Sequence, residues 1–335
     1  MSIVAYNLGP MPGKTTADLI AAADVIAGET GNLRTFPRLP NRGLGADLVG
    51  ATCALAPDLP VEPGPRGWRL STRPQLVTRR LWDNIQRDGD IVEEQWASST
   101  APVQLEVLGP WALATAVELP NGHRAVTDTG ALRDITEVLS HGITKHAAQL
   151  NRRFGGMVDV LLVESCLHAL ETGTVPGTSD FDTIAPIHTK ELGQRLFEVC
   201  STLKNETIRS VRISQIGATP VLDIAQLARP DAMVLGLQAI RGTETLDSVG
   251  EFLTAGISLS LGCVSPGARP ESARKVAQKI ASLFDELSFD RTAITEQAEL
   301  TTAAFVDSLA LFDAAHTLQT VRLAAEILGR DAGNL

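Results

Sequence analysis

Residues 158–170, Val158-Asp159-Val160-Leu161-Leu162-Val163-Glu164-Ser165-Cys166-Leu167-His168-Ala169-Leu170, decide how the rest of the chain is read. The nearly unbroken apolar run from Val158 to Val163 fits a strand covered on both faces, as in a parallel sheet. It ends abruptly at Glu164, a carboxylate followed by small polar residues, which is how a barrel strand delivers a side chain to its C-terminal mouth. Glu164 is the candidate catalytic residue; the plainer reading makes it a solvated loop acid after a core strand.

Working outward toward the N-terminus, residues 3–6 form a short apolar run stopped by the Gly- and Pro-rich loop 7–13. Thr15 or Thr16 then caps a helix in which Ala17, Ile20, Ala21, Val25 and Ile26 recur at helical spacing. A loop-rich passage, 36–47, closes with Arg42-Gly43-Leu44-Gly45-Ala46-Asp47, and a helix begins near Asp47 and stops before Pro57. Residues 57–74 crowd prolines and glycines into an irregular excursion, in which Val61 and Trp68-Arg69-Leu70 fit a small hairpin beside the mouth. The pattern over 75–97 is helical apart from Gly89, with Trp82 and Trp96 as packing residues. The strand 103–108 runs into Gly109-Pro110-Trp111, where Pro110 suits the first turn of a helix over 111–118. A long amphipathic helix over 132–150 holds His141 and His146. Their spacing of five keeps them off one face, so they are read as surface or interfacial and not as metal ligands.

Beyond Glu164 the alternation continues: helix 188–203, strand 208–214, helix 220–228, strand 232–237, helix 244–254, strand 257–263, helix 270–286, a weak strand near 296–301 and a final helix 306–329. About eight strand–helix units predict an α/β fold, a single (β/α)8 TIM barrel over 1–335, with a doubly wound open sheet as the alternative. With 44% apolar and 20% charged residues the composition is that of an ordinary globular chain, and no apolar run approaches the ~18–20 residues of a membrane span. The start of the chain lacks the features of a signal peptide, so a cytoplasmic location is expected. Cys53, Cys166, Cys200 and Cys263 are scattered, with no paired spacing to suggest disulfides. A formal charge of −10 without a basic tract argues against nucleic acid and anionic membrane, leaving a small-molecule ligand in the barrel mouth as the expected partner.

In a barrel the site lies where strands meet the following helices, which nominates residues 7–11 and 42–47, Trp111, Glu164, Ser214, Gln215, Gln238, residues 263–265 and residues 301–305. That set has no histidine and one cysteine, too few donors for a zinc site of three or four ligands. No dinucleotide or phosphate-loop glycine pattern follows a strand, and His168, the histidine nearest the mouth, falls in the first turn of a helix.

Gly-Pro-Met-Pro-Gly at 9–13, Arg-Gly-Leu-Gly-Ala-Asp at 42–47, Gly-Trp-Arg-Leu at 67–70, Val-Leu-Gly-Pro-Trp at 107–111, Ala-Val-Glu-Leu-Pro at 116–120 and Val-Glu-Ser at 163–165 carry a family likeness. In these motifs the chain resembles the short actinobacterial relatives of cobalamin-independent methionine synthase, over about residues 5–175. That family is similar in turn to uroporphyrinogen decarboxylase, and both are (β/α)8 barrels. The resemblance implies methyl transfer from methyltetrahydrofolate to the homocysteine thiol, activated by zinc, and points to the catalytic barrel of a two-barrel enzyme. It makes Asn7, Gly9, Met11, Arg42, Asp47, Trp111 and Glu118 candidate substrate-binding residues. The family's Asp-Glu-Pro stands here as Val163, Glu164 and Ser165, so of that motif the Glu alone is kept. Where the family's zinc ligands belong, this chain has Arg212, Ser214 and Ala304, and no bound zinc or other cofactor is expected. A diverged methyltransferase and a non-catalytic small-molecule- or protein-binding barrel are the two readings that follow. A tetrapyrrole decarboxylase would need Arg34, Arg38 or Arg42 to hold carboxylates, but its own motif is not present.

Overall fold

The computed structural model describes residues 3–96, 99–178 and 182–335; the expected end of one helix at Ala97 lies outside them. Eight parallel strands form one sheet: β1 (Val4–Ala5), β2 (Arg34–Thr35), β3 (Val103–Leu108), β4 (Val158–Val163), β5 (Ile208–Ser214), β6 (Ala232–Gly236), β7 (Ser258–Val264) and β8 (Ala298–Thr302). From β2 to β8 each strand pairs with the next in sequence, and β1 pairs with β8. The remaining seam, between β1 and β2, is closed just past the strands: Arg38 N–H donates to Gly9 O (3.1 Å) and Met11 N–H donates to Arg38 O (2.8 Å). A sheet whose order follows the sequence and returns on itself is a (β/α)8 barrel, not a doubly wound sheet.

Twelve helices surround it: α1 (Thr16–Glu29), α2 (Leu48–Leu55), α3 (Leu76–Trp96), α4 (Pro110–Ala116), α5 (Thr129–Phe154), α6 (Leu167–Thr172), α7 (Thr189–Leu203), α8 (Asp223–Ala228), α9 (Thr243–Thr254), α10 (Ala273–Glu286), α11 (Thr292–Gln297) and α12 (Leu311–Asp331) among the described residues. Local chemistry sets the key starts. Thr15 and Asp18 form a reciprocal capping box on α1, while Asp47 and Asp128 accept from Gly50 N–H and Ala131 N–H at the heads of α2 and α5. No described helix is long and apolar enough to cross a membrane.

Several boundaries differ from the sequence reading. The helix expected over 111–118 stops at Ala116, because Val117–Glu118 pairs with Gly67–Leu70, itself paired antiparallel with Val61–Gly64. The excursion is thus a hairpin extended to three short strands. The last helix starts at Leu311, leaving 303–310 as a loop at the mouth, and α11 precedes β8 where no helix was expected. β2 has two residues, too few for a periodic signal.

Most of the core lies between sheet and helices, while a small cluster of Tyr6, Leu8, Leu33, Leu161 and Val234 fills the barrel itself. Beside it sits a buried charge network. Arg212 of β5 donates to Asp159 of β4 (2.7 Å) and through two nitrogens to Glu299 of β8 (2.6 Å each). Because β8 lies three strands away from β5, this contact crosses the barrel interior. The guanidinium also lies 5.4 Å from the Tyr6 ring centroid, and the Tyr6 hydroxyl is 2.6 Å from that of Ser260.

Removing Arg212 would strand two acids inside the barrel. Arg212→Ala is expected to lower unfolding free energy by about 3–5 kcal/mol in urea denaturation. Arg209→Ala, at the half-exposed second partner of Asp159, should cost no more than about 1 kcal/mol.

Candidate functional site at the barrel mouth

The loop after β1 is built by Asn7, whose side chain accepts from Gly9 N–H (2.8 Å) and donates to Met11 Sδ (3.2 Å). Gly9 has φ +120°, and a Cβ there would collide with the Glu106 carboxylate, so glycine is what lets loop and acid meet. Glu106, on β3, is buried and held by Arg38 at 3.0–3.3 Å through Nε and a terminal nitrogen. Burial pushes its pKa up to about 7, Arg38 pulls it down, and the charge of Asp307 in the loop before α12 pushes it up further. A mouth carboxyl titrating near neutrality, fixed by an arginine, is suited to taking or giving a proton.

Glu164 is the first residue past the C-terminal end of β4. It is fully buried, accepting from Trp111 N–H (3.0 Å) and Ala112 N–H (2.8 Å), and so caps α4, whose Gly109 N-cap supplies no side chain. A Cβ on Gly109 would run into this carboxylate. Burial raises the Glu164 pKa to about 8 against the pull of those two N–H groups. Its burial rules out the solvated loop acid, and its two hydrogen bonds hold the start of a helix.

Beside the mouth, a cavity of about 370 Å³ opens between the loop after β2 and helices α2, α3 and α5. Lys14, Arg42 and Arg87 stand at its rim, and Phe36, Leu55, Leu81, Ile85 and Leu105 give it an apolar wall. Arg42 pairs with Asp88 of α3 (2.6 Å). At the buried end stands His146, whose Nδ1 meets Gln149 Oε1 at 3.2 Å while Nε2 has no partner among the described residues. Burial lowers the His146 pKa to about 4, so the ring is neutral.

The structure therefore divides the residues expected to bind substrate. Asn7, Gly9 and Met11 shape the mouth loop against Glu106 and Arg38, and Arg42 lines the cavity. Asp47 caps α2 and accepts from the Trp68 indole (3.0 Å). Trp111 is buried, its indole N–H on Leu192 O (3.0 Å), and Glu118 pairs with Arg66 (2.6 Å). Arg34 lies against the Trp96 ring. The sequence reading missed Glu106, Lys14 and the inward role of His146. Glu106 had one available signal, an acid set among apolar residues in a barrel strand.

Zinc does not fit the donors present. Arg212 is committed to Asp159 and Glu299, Ser214 is buried at the end of β5, and Ala304 has no donor atom. The Cys263 thiol, pushed up to about 12 by burial, points to Thr301 O. Among the described residues no group of three or more His, Cys, Asp or Glu side chains is placed to hold a metal ion.

No protein-family model and no curated protein matches this sequence. Solved structures match by fold, and they share the (β/α)8 barrel architecture. A B12-independent methionine synthase from Shewanella sp. W3-18-1, in complex with selenomethionine, superposes over 100% of both chains with a TM-score of 0.64 at 10% identity. A methyltransferase from Methanosarcina mazei covers 98% of this chain and 93% of its own, with a TM-score of 0.56 at 12% identity. At such identities the likeness is one of fold.

Two substitutions test these roles. Glu106 favours its protonated form in the folded chain, so its contribution to stability is full below about pH 4.5 and is lost as pH rises through about 7. Urea midpoints at about pH 5 and about pH 8 should therefore fall more for the wild type than for Glu106→Gln. Equal falls would show that Glu106 is ionised throughout. Glu164→Ala, leaving two buried N–H groups unpaired, should cost about 2–4 kcal/mol in the same assay.

Proposed function

We propose that this chain is a methyltransferase-type barrel, of the cobalamin-independent methionine synthase kind, that has lost the zinc-dependent step and binds a small molecule beside its mouth. The observation that carries this reading is Arg212. At the strand end where the resemblance calls for a metal ligand, it is a permanently charged donor fixed between two acids. A thiol such as that of homocysteine is a poor nucleophile until it loses its proton, and the donor set here supplies no metal to lower its pKa. Two things support retained binding: the cavity with its cationic rim, and the loop–acid contact that the positive φ of Gly9 makes possible. A cytoplasmic setting and the absence of nucleic-acid or membrane partners belong to the same reading, in keeping with the charge of −10.

Glu106 favours a second reading, acid–base catalysis at the mouth, since a buried carboxyl near neutral pKa beside Arg38 suits proton transfer on a bound substrate. The first experiment is zinc content of chelator-free protein, measured together with methyl transfer from methyltetrahydrofolate to homocysteine. Far less than one zinc per chain and no turnover are expected. Stoichiometric zinc with turnover would overturn the proposal.

A further inference from the structure

The cavity has a polarity that narrows what it holds. Four cations line it, Lys14, Arg38, Arg42 and Arg87, against two carboxylates, in a chain whose net charge is −10. Arg38 is matched by Glu106 and Arg42 by Asp88. Among the described residues the Lys14 ammonium meets no acid, and Arg87 donates to the neutral Asn84 side chain (2.8 Å) and pairs with no acid. A locally positive rim on an acidic protein draws in anions and repels cations. Behind the rim the wall is aliphatic and aromatic, so the body of a ligand must be mostly apolar.

The buried end adds a third requirement. His146 is more than nine-tenths buried, and among the described residues its Nε2 has no partner. With Gln149 Oε1 accepting from Nδ1–H, Nε2 carries the free lone pair of a neutral imidazole. An unpaired acceptor of this kind is costly to leave dry, and a ligand that brings a donor removes the cost.

We propose that this cavity binds a small organic acid with an apolar body, its carboxylate held at the rim by Lys14, Arg42 and Arg87, and a hydroxyl or N–H group at its far end donating to Nε2 of His146. The proposal rests on reading the cavity as the ligand site, but not on the loss of zinc chemistry. Arg42 offers its guanidinium to ligand and Asp88 together, which keeps it oriented before binding. Nothing but hydrogen bonds, an ion pair and apolar contact is required, and no covalent step enters.

Calorimetric titration of the full chain with three matched probes tests it: para-hydroxybiphenyl-para′-carboxylate, biphenyl-para-carboxylate and para-hydroxybiphenyl. The hydroxy acid should bind one per chain. Loss of its carboxylate should weaken binding about tenfold, and loss of its hydroxyl about fivefold. Lys14→Glu with Arg87→Glu, both at exposed positions, should abolish the advantage of the carboxylate and leave that of the hydroxyl. His146→Leu should do the reverse, and His146→Gln takes its place if the leucine variant does not fold. Equal affinities for the three probes, preferences unchanged in the variants, or no saturable binding by folded protein would overturn the proposal. Zinc with methyl transfer would instead overturn the proposed function and leave these titrations standing.

Discussion

Arg212, enclosed in the barrel between Asp159 and Glu299, is the constraint on which much of the rest depends. A buried guanidinium cannot shed its proton, and neither acid can be left unpaired in the interior without a large desolvation cost. The three side chains are therefore obligate to one another. They tie β4, β5 and β8 across the barrel, with Tyr6 and Ser260 completing the contact from the β1 and β7 sides. The same arrangement bears on function, because side chains locked into ion pairs are not available as metal ligands.

The mouth repeats this logic nearer to solvent. Glu106 and Arg38 are paired, but burial dominates the titration of the acid, so the pair sits close to a change of protonation state. The seam of the barrel runs beside it. β1 and β2 are only two residues long, and Gly9, Met11 and Arg38 complete their pairing with backbone bonds beyond the strands. Closure of the sheet and construction of the mouth thus use the same residues. The cavity lies immediately outside this seam, where α2, α3 and α5 cover β2 and β3.

The contrast between Glu164 and Glu106 shows what an apolar strand pattern leaves out. Both acids belong to barrel strands or their ends, and both are buried. What separates them is the neighbour each finds: the bare N–H groups of α4 for Glu164, an arginine from the loop after β2 for Glu106. The likeness of fold to a methionine synthase and a methyltransferase fits the strand count, while the helix-capping contacts of Glu164 follow from the bare N–H groups beside it and not from any motif in the chain.

The sequence by itself determined the barrel, because strands buried on both faces and amphipathic helices leave periodicities that are local in the chain. It determined the strand ending at Glu164, a helix capped at Thr15 or Thr16, a helix beginning near Asp47, and the hairpin in the excursion. It did not reach β2, too short to carry a period, or the pairing of Val117–Glu118 with the hairpin. Only the tertiary structure decided that Arg212 is an ion-pair centre, that Glu164 caps a helix, and that His146 faces a cavity. Each of these depends on partners 52 to 87 residues away or on space enclosed by several helices. Charge pairing and enclosure depend on distances in space, and no spacing along the chain encodes them.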